Sequence, residues 1–425
     1  MKVPCIYYRK CSGCTELAVP YAKQLRGKTQ RVRDALTKVL GLTLADGAME
    51  LLCPEVVPSP LPLGYRASTK LCLNMDSFGQ RSIGLYVRGS KTVVGIPSCP
   101  VHAPQINKVV EKIFAGNAVI PAPFYQHGKR TYQSGCLKFV TLRYSPATGM
   151  MGMIVSHTGV DRGALVAWAN RVAQPNLGIY ASELSKADDD RILSERTDHL
   201  AGPAKLSYKL AGQLFELPPL AFFQANFSLA ESFVGHITRA MSGHTLLDLY
   251  GGFGAYSWAV AGGFTRIYLV DGNASAIAAA RAHTPALAGL APVHASVEDF
   301  FGRHLPQRAA REVSHVIVNP PRSGLSPKVT SVLTGNMLPA LKELVYVSCN
   351  LETLMRDLRV ITRSSRLRLT SVQSFDMFPQ TEHIEVVAKL AISCLMFVKN
   401  WTQQQSHGCS ANIGSKTCAC TARRD

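Results

Sequence analysis

Beyond about Glu216, continuous apolar runs alternate with stretches of helical periodicity. TLLDLY is followed by AYSWAVAGG, RIYLVD by ASAIAAARAH, HVIVNPP by PKVTSVLTGN, and ELVYVSCN by LETLMRDLRV. Strands that are apolar throughout are buried on both faces, and their alternation with helices predicts a doubly wound α/β sheet. From Leu51 to about Leu210 the pattern is different. Short β-rich runs such as LCLNMD, SIGLYVRG, KTVVGIP, LKFVTLRYS and GMMGMIVSH are punctuated by Gly, Pro and Ser, which predicts a mixed α+β domain. Ahead of it, KQLRGKTQRVRDALTKVL carries apolar residues at helical spacing and reads as a solvated amphipathic helix. From about Leu395 the chain is polar, contains Cys409, Cys418 and Cys420, and follows neither period, so a weakly ordered tail is expected. The pattern divides the chain into residues 1–50, 51–215, 216–392 and 393–425.

A length of 425 residues exceeds one ordinary core and fits two or three domains. With 46 Lys and Arg against 28 Asp and Glu, the net charge of +18 favours a polyanionic partner. Charge alone does not separate RNA from DNA or a membrane surface. No stretch reaches the roughly 18 apolar residues of a membrane span, and MKVPCIYYRK lacks the apolar core of a signal peptide. A cytoplasmic protein with no membrane partner is therefore expected. In that setting twelve cysteines point to metal ligation, catalysis or packing rather than disulfides.

Candidate chemistry gathers at the ends of the predicted strands. TLLDLY runs into Gly251, Gly252 and Gly254, where glycines allow a sharp turn and close backbone approach to a ligand. RIYLVD ends in Asp271, placed to accept hydrogen bonds from two ribose hydroxyls of a nucleoside cofactor. Ser257 nearly completes a dinucleotide pattern, so a nicotinamide oxidoreductase fits these features as well. HVIVN then ends in Asn319-Pro320-Pro321-Arg322, a polar side chain followed by a rigid turn, which is an arrangement familiar from methyltransferases. ELVYVS delivers Cys349 to the same edge ahead of a helix, whose N-terminus favours thiolate over thiol. In FDMFPQTEHIEVV, Asp376, Glu382, His383 and Glu385 crowd a proline turn and are candidates for proton abstraction. Alternation turns Glu385 away from Ile384 and Val386, toward a cleft.

VIVNPPRSGL, VYVSCNLETLMRDL and DMFPQTEHIEVV, in this order, resemble the signature motifs of the RNA uracil-5 methyltransferase family. The likeness extends upstream to LAFFQANFSLAE and DLYGGFGAYS and covers about residues 1 to 392. It implies a Rossmann-like S-adenosylmethionine-dependent methyltransferase domain over residues 216–392. Cys349 is then the nucleophile that attacks uracil carbon 6, and Glu385 the acceptor of the carbon 5 proton. Gln224, Tyr250, Gly252, Gly254, Asp271 and Asn319 are the implied cofactor residues. The addition is chemically necessary, because carbon 5 of uracil is too weak a nucleophile until a thiolate adds across the ring. Asn319 stands where many members have Asp, Gly251 where many have Cys, and Ala255 where some have Asn. The last two are expected to alter packing more than mechanism.

Cys5, Cys11 and Cys14 have five and two residues between them, and Cys99 follows in IPSCPVH. Four such thiolates suit either zinc or a [4Fe–4S] cluster. The spacing disfavours a radical S-adenosylmethionine enzyme. The pattern, with Cys-Ser-Gly-Cys at its centre, resembles the iron-sulfur motif of the bacterial 23S rRNA uracil-5 methyltransferases. That resemblance implies a [4Fe–4S] cluster on Cys5, Cys11, Cys14 and Cys99 in the segment 1–50 and the start of the next domain, and 23S rRNA as the partner. It also implies a central RNA-binding domain over 51–215, with Arg66 and Lys70 of GYRASTK as phosphate or base contacts. The chain's start is expected to lack the amino-terminal β-barrel module of other members. Phe222, Phe223 and Phe378 could stack on an extruded base, with core packing the expectation for each. Cys53, Cys72, Cys136 and Cys394 read as buried packing, and Cys418 with Cys420 as a pair that could bind metal but is expected to be poorly ordered. A tRNA uracil-5 methyltransferase and a non-catalytic rRNA assembly factor remain the alternatives.

Overall fold

A computed structural model describes residues 4–41, 47–114, 119–129, 132–186, 191–283, 287–363 and 366–392. The expected tail, with Cys394, Cys409, Cys418 and Cys420, lies outside the described residues.

The first sheet is built from β1 (Ser68–Met75), β2 (Arg81–Tyr86), β3 (Val93–Gly95), β4 (Cys136–Tyr144), β5 (Met151–Thr158), β6 (Leu177–Glu183) and β7 (Asp198–Ala201). Its spatial order is β3-β2-β1-β4-β5-β6-β7. Every pairing is antiparallel except β5 with β6, which a helix, Arg162–Val172, connects. Leu71, Leu73, Val140, Leu142, Met153 and Val155 project from one face at the strand period. They pack against Ile106, Val110 and Ile113 of helix Pro104–Phe114 and Leu165 and Trp168 of the connecting helix. A short hairpin follows, β8 (Leu206–Leu210) and β9 (Gln213–Leu217). Its two-residue turn, Ala211-Gly212, has both φ angles positive (50° and 74°), the geometry that matches the twist of paired strands.

The second sheet comprises β10 (Gly243–Leu249), β11 (Phe264–Asp271), β12 (Leu290–His294), β13 (Val313–Val318), β14 (Glu343–Ser348), β15 (Leu367–Phe375) and β16 (Glu385–Ile392). The order is β12-β11-β10-β13-β14-β16-β15, with β12 to β14 parallel and the last two strands antiparallel. β10, β13 and β14 are buried over nearly their whole length because apolar clusters cover both faces. This is the α/β architecture expected from the alternating pattern.

The first helix, Tyr21–Leu40, packs against helix Leu351–Arg363 and sends Val32 and Leu36 into the core of the second sheet. It is less solvated than its composition implied. Gln24 and Lys28, read as part of a polar face, are fully buried.

Candidate active site

Four parallel strands end at one edge of the second sheet, and each hands on a candidate residue there. β10 leads into Tyr250, whose φ of 59° is unusual for a side-chain-bearing residue, and then Gly252 at 60°. Asp271, at the end of β11, accepts from Gly252 N at 2.8 Å and Asn273 N at 2.7 Å, so the carboxylate pins the glycine loop. Gln224, Tyr250, Gly252, Asp271 and Asn319 line one cleft with about 710 Å³ of empty volume. A Cβ on Gly252 would meet nothing within 4 Å, so the loop presents bare backbone to the cleft. The residues therefore fit S-adenosylmethionine: a carboxylate at the end of β11 for a ribose diol, a loop backbone unshielded by a side chain at Gly252, and an apolar wall. Gly254 is not on that wall; its φ of 91° starts the helix Ala255–Ala259. Phe223 is buried in a stack with Tyr208, Phe227 and Phe253, whereas Phe222 is 67% exposed at the cleft, unlike the core packing expected of it.

The glycine loop rests on a residue that sequence reasoning passed over. Asp248, fully buried in β10, accepts from the Ser257 hydroxyl at 2.7 Å and the Ser257 amide at 3.1 Å. Burial pushes its carboxyl up to about 7, against the opposing Ser257 hydrogen bonds. A Cβ on Gly251 would collide with Leu269 and lie 2.8 Å from the Asp248 carboxylate, which is why glycine stands there.

β14 pairs antiparallel with β16, Ser348 opposite Val386. Cys349 follows directly after the last paired residue of β14 and Glu385 precedes its partner on β16, close enough for the Glu385 charge to act on the Cys349 thiol. Val386 and Ile384 enter one core and Val387 the other, so Glu385 faces the side occupied by Tyr256 of the cofactor cleft. Glu385 is only 8% exposed, and burial raises its carboxyl to about 8, with the Arg322 guanidinium opposing. Cys349 is half-buried. Its thiol is raised first by burial and then by Glu385, and lowered by charge and a hydrogen bond from Arg322. The thiolate favoured by a helix start is thus outweighed by desolvation, and Arg322 is the group that offsets it. Asn350 fixes this corner: its Oδ1 accepts from Glu352 N at 3.0 Å and its Nδ2 donates to the Arg322 carbonyl at 3.0 Å.

Cys349, Arg322, Asn350, Glu382 and His383 line a second, open cleft together with Arg31 from the first helix. Arg31 donates to the Glu382 carbonyl. His383 is pushed below the usual histidine value by burial and then by Arg322. Arg322 and Arg31 are functional candidates that the motifs did not single out. Arg322 stood in the quoted NPPR run, but its direction is a property of the turn.

The four amino-terminal cysteines lie within reach of one another's charge. Burial first, then the neighbouring charges of Cys99, Cys11 and Cys5, push the Cys14 thiol up to about 12. Cys99 in turn feels Cys11 and Cys5, and Cys11 feels Cys5. Gly13 N donates to Cys11 Sγ at 3.2 Å, and a Cβ on Gly13 would lie 3.1 Å from Leu85. Arg88 ties the loop by donating to the carbonyls of Tyr8, Cys11 and Cys14. Among the described residues, no three His, Cys, Asp or Glu side chains are gathered to hold a metal ion. Cys53, Cys72 and Cys136 are buried. Arg66 is partly buried with charge reaching Cys14, His102 and His383, and its Nε has no hydrogen-bond partner among the described residues. Lys70 lies on β1 beside Arg143, lowered first by burial and then by that neighbour. No helix among the described residues is long and apolar enough to cross a membrane.

Residues 205–391 match the family model for tRNA (uracil-5-)-methyltransferase. An uncharacterized RNA methyltransferase of Thermosynechococcus vestitus is 30% identical over 396 residues, covering 92% of this chain and 84% of that one. Another from Thermotoga maritima is 28% identical over 400 residues, with 92% and 84% covered. The crystal structure of Pyrococcus abyssi tRNA (uracil-54, C5)-methyltransferase with S-adenosyl-L-homocysteine superposes with a TM-score of 0.66. It is 26% identical, covering 90% of this chain and 85% of that one. The chain belongs to the S-adenosylmethionine-dependent RNA uracil-5 methyltransferase family.

Proposed function

We propose that the protein methylates carbon 5 of a uridine in 23S rRNA, with Cys349 as nucleophile and Glu385 as proton acceptor. The observation that carries this reading is the proximity of the two groups: the ladder ends at Ser348 opposite Val386, Cys349 and Glu385 are the next residues on either side, and the Glu385 charge acts on the Cys349 thiol in the open cleft. Bound S-adenosylmethionine supplies an electrophilic methyl group. Gln224, Tyr250, Gly252, Asp271 and Asn319 hold it, with Gly254 setting the loop. The Cys349 thiolate, its charge balanced by Arg322, adds to uracil carbon 6 and makes carbon 5 nucleophilic. After methylation the Glu385 carboxylate takes the carbon 5 proton. The electrons of that C–H bond form the C5–C6 double bond as the C6–S bond breaks and the thiolate leaves. Forming the adduct also removes the thiolate charge that faces Glu385, which favours the carboxylate at the step that needs it.

Residues 51–215 form the proposed RNA-binding domain, with Arg66 and Lys70 among its contacts, and the cytoplasm is the proposed location. Cys5, Cys11, Cys14 and Cys99 are proposed to hold a [4Fe–4S] cluster. Every pair of the four thiols is coupled by charge. The resemblance of the cysteine spacing to the iron-sulfur motif is what favours the cluster over zinc. The cysteine pattern favours rRNA over tRNA. The tRNA reading is supported by the Pyrococcus abyssi enzyme, whose fold this chain shares. Labelling unmodified rRNA and tRNA with methyl-labelled cofactor, then mapping the modified nucleotide, separates the two. Cys349-dependent 5-methyluridine in 23S rRNA supports the proposal, and label in tRNA alone overturns the substrate assignment.

A further inference from the structure

The turn that precedes Glu385 is held mainly from outside its own domain. Thr15 N and Glu16 N both donate to the Gln380 carbonyl, at 3.1 and 3.0 Å, and Glu382 N donates to Thr15 Oγ1 at 3.1 Å. Gln24 and Gln380 exchange two bonds: Gln24 Nε2 donates to Gln380 Oε1 at 2.9 Å, and Gln380 N donates to Gln24 Oε1 at 3.1 Å. Lys28 Nζ reaches Asp376 Oδ1 at 2.6 Å and the Phe378 carbonyl at 3.3 Å, and Tyr65 OH donates to the Pro379 carbonyl at 3.1 Å. Among the described residues, every hydrogen bond that reaches the Phe378–Glu382 backbone from outside the turn comes from residues 15 to 65.

Gln380 has a φ of 68°, a conformation that persists only where its surroundings enforce it. The enforcing groups are buried: Gln24 is 2% exposed, and the Lys28 and Asp376 side chains 1% and 0%. Separating the partners of a buried ion pair leaves an uncompensated buried charge, which disfavours a displaced turn.

We propose that the stretch Thr15–Arg31 positions the proton acceptor, by fixing the Gln380–Glu382 turn and so the start of β16, where Glu385 meets Cys349. The inference rests on the assignment of Glu385 as proton acceptor. Cys349 follows β14 and the cofactor cleft is built on other elements, so loosening the turn slows proton removal more than the earlier steps and leaves the protein covalently joined to RNA. Thr15, Gln24 and Lys28 are positioning residues, because none of them lines the cofactor cleft or the open cleft. Thr15 follows Cys14 directly, so the cysteine loop and the catalytic turn share one anchor.

The test uses the full chain with Thr15→Val, Gln24→Ala and the conservative Thr15→Ser; Thr15 is exposed, so its replacement does not threaten folding. Amide hydrogen exchange over Gln380–Glu382 is expected to quicken about ten-fold in Thr15→Val and Gln24→Ala, and to return to normal in Thr15→Ser. With an unmodified 23S rRNA transcript, release of the covalent adduct is expected to slow about ten-fold while methyl transfer into it changes little. Glu385→Gln run alongside separates the two failures. If it retains no adduct, the proton-acceptor assignment fails, and the exchange result still decides whether the stretch holds the turn. If Glu385→Gln retains adduct while Thr15→Val and Gln24→Ala match wild type in both exchange and release, the positioning role is overturned.

Discussion

Replacing Glu385 by glutamine removes an ionisable group at nearly constant shape. In the folded protein the carboxyl is raised from an ordinary 4.5 to about 8, burial being the main cause and Arg322 the opposing one. The folded state therefore holds its proton more tightly than the unfolded chain does. The stability this contributes is fully present below pH 4.5 and is lost as pH rises through about 8. The displacement corresponds to at most about 5 kcal/mol. Water entering the cleft reduces the penalty, so a change of about 2 kcal/mol or more is expected. Urea denaturation of wild type and Glu385→Gln at pH 5 and pH 9 measures it. The variant should be the more stable of the two at pH 9 by that amount, with the advantage shrinking toward pH 5. Parallel stability curves across this range would refute the buried, proton-retaining carboxyl, since Cys349, Tyr256 and Arg322 are common to both proteins.

Arg322→Met should lower adduct formation at pH 7 about ten- to hundred-fold, with partial recovery toward pH 9, because the thiol loses the charge that offsets its burial; a pH-independent defect would assign Arg322 to RNA binding instead. Asp271→Ala frees the Gly252 and Asn273 amides and should weaken S-adenosylhomocysteine binding at least about ten-fold by calorimetry without unfolding the protein. Gly251→Ala should cost about 1–3 kcal/mol and distort the cofactor loop, read as a lower denaturation midpoint and weaker cofactor binding. Protein purified without oxygen should contain iron and acid-labile sulfide that Cys11→Ser lacks; one zinc per chain would refute the cluster.

The second sheet was legible because its central strands are buried on both faces, and their runs LLDL and HVIV are apolar but for Asp248 and His315. The strand Leu290–His294 escaped notice: it lies at the edge, carries Pro292 and is only partly buried, so its pattern is weak. Cys349 and Glu385 could be named from their motifs. Their apposition could not, since it depends on the antiparallel register of β14 and β16. Arg322 and Asp248 lay in quoted stretches, but charge reaching two neighbours, or a carboxylate beneath a glycine, arises only in three dimensions. The first helix misled for a physical reason. Gln24 and Lys28 are residues that normally face water, and here their partners, Gln380 and Asp376, lie more than three hundred positions away.

The central claim is tested most directly by trapping the protein–RNA adduct. Full-length protein, S-adenosylmethionine and an unmodified 23S rRNA transcript carrying 5-fluorouridine are mixed and resolved under denaturing conditions, followed by peptide mapping of the cross-link. Fluorine at carbon 5 leaves no proton to remove, so a stable covalent complex should form through Cys349 and disappear in Cys349→Ala. A complex that persists in Cys349→Ala, or methylated uridine made at the wild-type rate without Cys349, would contradict the account.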